Sequence, residues 1–331
     1  MTVIAVFGAG AMGTALAMHL ARKGEQVALW GSEFDARVLP DLLERRSHPA
    51  LPERLPDRLA VHGPDGLEDV ARTAAVAVMG AHSAGARSLA KLVAPALGAD
   101  TRIVVSIAKG LEPNSRRRMS EVYDDELDGR PVVAVGGPAL AAEVAEGLPC
   151  VAVVGSTDPG ALAEATRVLA SDAYLVHATS DCAGLEICAT AKNVGAIAEG
   201  IVEALGQTRE QGYKNARAAL FTQAVGEMAA LAVASGGQRD TAYGLAGVGD
   251  LLVTSLGGRN RQYGEMVGSG ADPRHAEQDM ESRGMTVEGV ESARDIHAVA
   301  GELGLDLPVH EAVYRVVHEG APAESILGAL R

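Results

Sequence analysis

Residues 2–22 read TVIAVFGAGAMGTALAMHLAR, a β-branched, apolar run that passes through Gly8, Gly10 and Gly13 into a segment with helical spacing of its apolar residues. Strand, glycine turn and helix in this order open a βαβ unit of the kind that holds a dinucleotide. Gly8 allows the tight turn, Gly10 lets backbone approach a pyrophosphate, and Gly13 lets the helix pack closely on the strand. The N-terminus of the helix, at Ala11 and Met12, then faces the phosphates. A glycine turn in an α/β protein that carries no cofactor is spelled the same way.

Reading outward, a second apolar run, 26–30, follows within the length of one βαβ unit, and Ser32, Glu33 and Asp35 come just after it. An acid at this place favours the free ribose 2′-hydroxyl of NAD, whereas a nearby Arg suits the 2′-phosphate of NADP. Glu33 and Asp35 therefore point to NAD, and Arg37 keeps NADP open. Either acid can equally be a solvated loop charge. Further strands are predicted at 74–79, 102–106, 132–135 and 151–154, separated by helical or polar stretches such as 84–97. The Pro- and Arg-rich stretch 45–58 reads as an irregular loop near the cofactor end of the sheet.

The bulk numbers agree with an α/β protein. The chain has 331 residues, 47% of them hydrophobic but only 3% aromatic, so Ala, Val, Leu and Gly must fill its core. That length accommodates two domains. With 29 Lys and Arg against 43 Asp and Glu, the net charge of −14 argues against a nucleic-acid surface. The opening residues show no basic leader and no stretch is long and apolar enough to span a membrane, so a cytoplasmic location is expected. Cys150, Cys182 and Cys188 lack CxxC spacing, and the histidines form no ligand pattern, so neither disulfides nor a metal is expected.

After about residue 180 the apolar period becomes that of helices, at 184–205, 216–235, 291–303 and 311–319. The expected architecture is thus a Rossmann-type doubly wound sheet, 1–182, followed by an all-α substrate-binding and catalytic domain, 183–331, in which a dimer is plausible. Within EICATAKNVGAIAEG (186–200) Lys192 and Asn193 interrupt a small, apolar surface. Burial there favours the neutral amine and can tune a Lys for proton transfer. A Lys whose stem reaches solvent fits the same pattern. The glycine-rich GLAGVGD (244–250) holds Asp250 in a restricted backbone setting, with Thr254 and then Arg259, Asn260 and Arg261 beyond it. A planar Arg fork matches phosphate oxygens. A surface turn with a salt-bridged Asp and Arg is the plainer reading.

Taken in order, GAGAMGTALA (8–17), SIAKGLE (106–112), GGPALAAEVAEGLP (136–149), AKNVGAIAEG (191–200), GLAGVGDLLVT (244–254), RNRQYG (259–264) and VEGVESAR (287–294) resemble the NAD(P)-dependent sn-glycerol-3-phosphate dehydrogenases over nearly the whole chain. The resemblance implies that Lys192 donates a proton in ketone reduction and that Lys109 lies beside the reacting oxygen and the cofactor. It implies that Asp250 and Thr254 share a polar cluster with Lys192, that Asn193 and Asn260 bind substrate, and that Arg259 grips its phosphate and touches the cofactor. Glu288 matches a cofactor-contacting position, and Gly137 and Ala141 match backbone positions near substrate and cofactor. The implied reaction interconverts sn-glycerol 3-phosphate and dihydroxyacetone phosphate, a small phosphorylated alcohol and ketone.

Several positions depart from the family pattern. Met12 stands where an aromatic is common, Ala139 where Ser is usual, and Gly258 where Ser often precedes the RN pair. The loop 206–215 is longer, GAHSAG (80–85) replaces a VPS segment, and RSHPALP (46–52) lacks the usual Asn and aromatic. Lost hydroxyls would remove contacts to a small triol phosphate or enlarge its pocket. A related phosphorylated or phosphonate carbonyl compound, or a β-hydroxyacid, is the alternative substrate class.

Overall fold

The run VIAVF becomes β1 (Val3–Phe7) of a computed structural model that describes residues 2–207 and 212–331. Side chains alternate across this strand, so Ile4 and Val6 join one hydrophobic core while Ala5 and Phe7 join a second on the opposite face. The other strands are β2 (Gln26–Trp30), β3 (Ala60–His62), β4 (Val76–Met79), β5 (Ile103–Ser106), β6 (Val132–Gly136), β7 (Cys150–Gly155) and β8 (Tyr174–Thr179). Among the described residues they form one sheet of order β3-β2-β1-β4-β5-β6-β7-β8, parallel except where β6 meets β7. The strand order reverses between β1 and β4, the switch point outside which ligands bind in such sheets.

The helices of this part are α1 (Ala11–Lys23), α2 (Leu67–Arg72), α3 (Ala86–Val93), α4 (Met119–Glu126), α5 (Ala141–Glu146) and α6 (Pro159–Leu169). α1 starts directly after Gly10 and stops at Gly24, which takes the left-handed conformation, with Arg22 and Lys23 complementing the helix dipole in the last turn. Its Leu16 and Leu20 are buried in the core shared with Ile4 and Val6. The helical part holds α7 (Cys182–Gln207), α8 (Lys214–Ala234), α9 (Arg239–Tyr243), α10 (Asp250–Gly257), α11 (Arg259–Gly268), α12 (Pro273–Ser282), α13 (Glu288–Leu303) and α14 (Pro308–His318). The expected Rossmann-type sheet followed by a helical part is what the chain forms.

Two compact units divide the chain, one of Met1–Glu112 with Arg117–Cys182, the other of Pro113–Arg116 with Ala183–Arg331. The short segment 113–116 joins the helical unit, where Arg116 pairs with Glu302 on α13. Two strands escape the sequence reading, β3 and β8. β3 has only three residues, and β8 lies at the other sheet edge with a mixed exposure that breaks the apolar run. The stretch 84–97 is not one helix. Pro95 ends α3 in a 3₁₀ turn, Ala94–Ala96, because it has no N–H to continue the ladder. The 45–58 stretch is irregular apart from the end of a π-helical turn, Asp41–Arg45, and a single bridge from Ser47 to Arg54. Of the long loop 206–215, residues 208–211 lie outside the described residues. Among those described, no helix is long and apolar enough to cross a membrane.

Candidate active site

In the sheet unit the glycine turn closes between β1 and α1. Gly8 has φ +109°, and a Cβ there would come within 2.8 Å of the Gly80 carbonyl oxygen at the end of β4. A Cβ on Gly13 would lie 2.5 Å from the Gly8 carbonyl oxygen, so helix and turn meet only because both residues are glycine. Gly10 differs. A Cβ on it would meet nothing within 4 Å, so internal packing does not require glycine at this place. The backbone N–H groups at the α1 N-terminus are of the kind that can hold a phosphate.

The turn is braced by Asp35, whose Oδ1 accepts from the Ala9 N–H (3.1 Å) and whose Oδ2 accepts from the Ser32 N–H (2.8 Å) and Oγ (3.0 Å). Ser32 is buried and Glu33 is exposed. The two acids that look alike in the sequence therefore differ: Asp35 is engaged with backbone, and Glu33 is exposed. His48, from the 46–52 segment, accepts the Ala50 N–H at Nδ1 (3.0 Å). Its pKa is lowered by burial, against the opposing effect of a hydrogen bond to the Ala9 backbone. The arginines of the irregular loop are occupied. Arg46 donates to the Pro56 and Leu59 carbonyls (2.6 and 2.8 Å), Arg54 to that of Arg45 (3.3 Å), and Arg58 to that of Ala21 (3.4 Å). Arg37 is exposed. Elsewhere in this unit the Lys109 ammonium donates to the Gly137 carbonyl (3.3 Å), Ala141 opens α5, and Ala139 packs against the core where a Ser would have offered a hydroxyl.

In the helical unit the polar residues singled out by sequence meet. Lys192 on α7 donates to Thr254 Oγ1 on α10 (2.8 Å) and pairs with Asp250 Oδ1 (3.1 Å). The Thr254 hydroxyl spends its own proton on the Asp250 carbonyl (2.7 Å), so its lone pairs face the ammonium. The Lys192 and Asp250 side chains are only 8% and 2% exposed, which makes this a buried ion pair. Beside it Asn260 on α11 donates to Asn193 Oδ1 (2.9 Å) and accepts the Gly289 N–H (2.8 Å). Asn193 donates in turn to Glu288 Oε2 (3.4 Å). Close backbone packing holds α7 against α11: a Cβ on Gly200 would strike the Arg261 carbonyl, and one on Gly264 the Ile197 carbonyl.

Arg259, at the first position of α11, is exposed, with Nη2 4.0 Å from Glu288 Oε1. Arg261 is committed to Glu203 (2.8 Å) and Glu265 (2.7 Å). The first turn of α11 carries no acid. A cation at the positive end of a helix is unfavourable alone, and an anion there would be welcomed by both. Gly289 escaped the sequence reading. A Cβ on it would lie 2.8 Å from Asn260 Oδ1 and 2.9 Å from the Asn193 carbonyl, and the only sequence signal is a glycine in the first turn of a helix.

Comparison with known proteins gives a consistent result. Residues 3–162 match the family described as NAD-dependent glycerol-3-phosphate dehydrogenase N-terminus, and residues 181–328 match the one described as its C-terminus. Over 330 residues the chain is 33% identical to the NADP(+)-dependent glycerol-3-phosphate dehydrogenase of Archaeoglobus fulgidus, covering 98% of each chain. It is 34% identical to a glycerol-3-phosphate dehydrogenase (NAD(P)+) of Clostridium acetobutylicum, covering 98% of this chain and 95% of that one. The crystal structure of a glycerol-3-phosphate dehydrogenase from Coxiella burnetii is similar with a TM-score of 0.90 at 32% identity, covering 99% of this chain and 98% of that one.

Proposed function

The chain belongs to the NAD-dependent glycerol-3-phosphate dehydrogenase family, and on that premise we propose that Lys192 is the proton donor of its reaction, with Asp250 and Thr254 holding the ammonium. It is an NAD(P)-dependent oxidoreductase that interconverts sn-glycerol 3-phosphate and dihydroxyacetone phosphate. The nicotinamide cofactor, when bound, supplies or takes up the hydride at the reacting carbon. The backbone at Gly10, Ala11 and Met12 would hold its pyrophosphate, and Ser32 and Glu33 its ribose. Lys109 and Ala141 are further cofactor contacts in this reading.

As the ketone is reduced, negative charge develops on its oxygen and a proton must reach it. Lys192 gives that proton and is left neutral, and before the transfer Asp250, 3.1 Å away, favours its charged form. Lys109, whose ammonium donates to the Gly137 carbonyl in the sheet unit, is a second candidate cation in this reading. Asn193 and Asn260, locked to each other, present amide groups to substrate hydroxyls, and Arg259 takes the phosphate. In the reverse direction neutral Lys192 accepts the proton from the alcohol.

The observation that carries this reading is the buried Lys192 ammonium between Asp250 and Thr254. Its test is the oxidation of NADH and NADPH with dihydroxyacetone phosphate and a panel of related ketone phosphates, wild type beside Lys192→Ala. Turnover should fall by at least about a hundredfold in the variant, as for a lost general acid, with cofactor binding intact. Turnover within a few fold of wild type removes Lys192 from the mechanism. NADH should serve at least as well as NADPH, because exposed Glu33 adjoins buried Ser32 and the loop arginines 46, 54 and 58 already bind carbonyls, and a preference for NADPH would point to exposed Arg37. A cytoplasmic location and a homodimeric state, open to fractionation and light scattering, complete the proposal, with the absence of a nucleic-acid partner, which the net charge of −14 supports.

A further inference from the structure

We infer that His310, outside the substrate cluster, is a positioning residue that fixes the backbone from which Lys192 extends. The inference rests on the reading of Lys192 as proton donor. Behind α7 lies a second buried polar group. Glu227 on α8 is 6% exposed and His310 on α14 is 2% exposed. The Glu227 carboxylate caps α14, accepting the Val309 N–H (2.9 and 3.1 Å at its two oxygens) and the His310 N–H (3.1 Å). Gln223 Nε2 donates to its Oε1 (3.1 Å), and His310 Nδ1 lies 2.7 Å from Oε2.

The other ring nitrogen, Nε2, lies 3.3 Å from the carbonyl oxygen of Ala191. That carbonyl belongs to the peptide whose nitrogen is the backbone nitrogen of Lys192. The peptide unit is planar, so fixing its oxygen fixes the direction in which the Lys192 Cα leaves it. A carbonyl has two lone pairs, one for the α7 ladder and one for the ring. Both ring nitrogens thus face acceptors. Glu227 has the opposite shift from burial alone: hydrogen bonds from His310 and from the α14 backbone outweigh desolvation and lower its pKa. Three helices, α7, α8 and α14, are therefore joined through one imidazole at the residue before the proposed donor.

A buried Glu–His pair can also be mere glue, and two substitutions separate the roles. In His310→Asn the shorter amide can keep a donor near the Nδ1 position, toward Glu227, but falls short of Ala191. In His310→Gln the longer amide can reach the Nε2 position and restore the contact with the Ala191 carbonyl. With NADH and dihydroxyacetone phosphate, His310→Asn should lower kcat about 5- to 10-fold, the scale of one hydrogen bond of ~1 kcal/mol, with both KM values within about twofold of wild type. His310→Gln should recover most of that loss. In a Lys192→Met background, His310→Asn should leave residual turnover unchanged, since the group it positions is gone.

A kcat for His310→Asn equal to wild type overturns the inference, as does an equal loss of kcat in His310→Asn and His310→Gln. A further loss in the Lys192→Met background does so too, because it shows His310 acting on something else. If His310→Asn fails to fold, His310→Gln decides alone: near wild-type kcat supports the contact with Ala191, and a loss of tenfold or more refutes it. Failure of the underlying reading looks different, since Lys192→Met would then turn over within a few fold of wild type whatever occupies position 310.

Discussion

Replacing Asp250 by Asn keeps the size and one acceptor oxygen but removes the charge that faces Lys192. At the observed 3.1 Å, an attraction of about 5 kcal/mol is withdrawn at an effective dielectric of about 20. An ammonium left unpaired in a buried site costs about 3–5 kcal/mol, a cost the protein avoids by letting it shed its proton. The variant's ammonium therefore loses its proton more readily than the wild type's. Ketone reduction requires protonated Lys192, so its rate declines as pH rises through the pKa of that group. In Asp250→Asn the alkaline decline of kcat should therefore move to lower pH. Alcohol oxidation requires the neutral amine, so its acid limb should move in the same direction and the variant should lose less in oxidation than in reduction at neutral pH. The assay is initial-rate NADH absorbance in both directions across the neutral and alkaline range, with melting curves to establish that the variant is folded. Coincident pH profiles for wild type and Asp250→Asn would refute the argument that this carboxylate keeps the donor charged.

Arg259→Ala should lower kcat/KM for dihydroxyacetone phosphate by about 2 kcal/mol or more while the slow reduction of dihydroxyacetone barely responds, and an equal loss on both substrates puts the phosphate elsewhere. Asp35→Ala frees the Ala9 and Ser32 N–H groups it now binds, so the NADH dissociation constant from fluorescence titration should rise about 5- to 10-fold with KM for the ketone unchanged; unaltered NADH affinity would show that the turn needs no brace. Asp295 on α13 is pushed up to about 6 by burial and then by Glu291, with Arg116 and Arg294 opposing. Its folded pKa lies above the unfolded value of about 3.9, so the group costs stability as pH rises from about 4 to about 6. Asp295→Asn should raise the free energy of urea unfolding at about pH 7 by about 1–2 kcal/mol and have little effect below about pH 4, and equal stability at neutral pH would contradict the burial argument.

The parts of the fold legible in the sequence are those where one physical demand acts alone. β1, β4 and β5 lie inside a parallel sheet covered on both faces, so their runs must be almost wholly apolar, and they read as strands without help from context. β3 and β8 are edges. A three-residue AVH and a half-exposed YLVHAT are set by pairing with β2 and β7 rather than by their own pattern, which is why composition is silent about them. α13 begins three residues before its apolar period is apparent, because Gly289 reads as a helix breaker. Its helix propensity is poor, but a larger residue would displace the Asn260 side chain that its N–H anchors. Tertiary contact decides the residue there, and no local rule contains that contact.

The site is legible to a different depth. Lys192 draws notice because an ammonium on a face of Ala, Gly, Val and Ile must find a partner, shed its proton or reach solvent along its stem. The pattern does not state which, and Thr254 and Asp250 meet it through a fold that brings α10 against α7 across 62 residues of chain. The acids after β2 make the converse point. Residue type cannot distinguish Glu33 from Asp35, because the difference lies in backbone N–H groups that the glycine turn happens to aim at one of them. A side chain whose partners are other side chains leaves a trace in composition, as the Lys–Asp pair does. One whose partners are peptide groups leaves none, and Asp35 at the glycine turn and Glu227 and His310 behind α7 are all of that second kind at one or more of their contacts. Their contribution is therefore to be sought by comparing side chains of different reach at the same position, as His310→Asn and His310→Gln do.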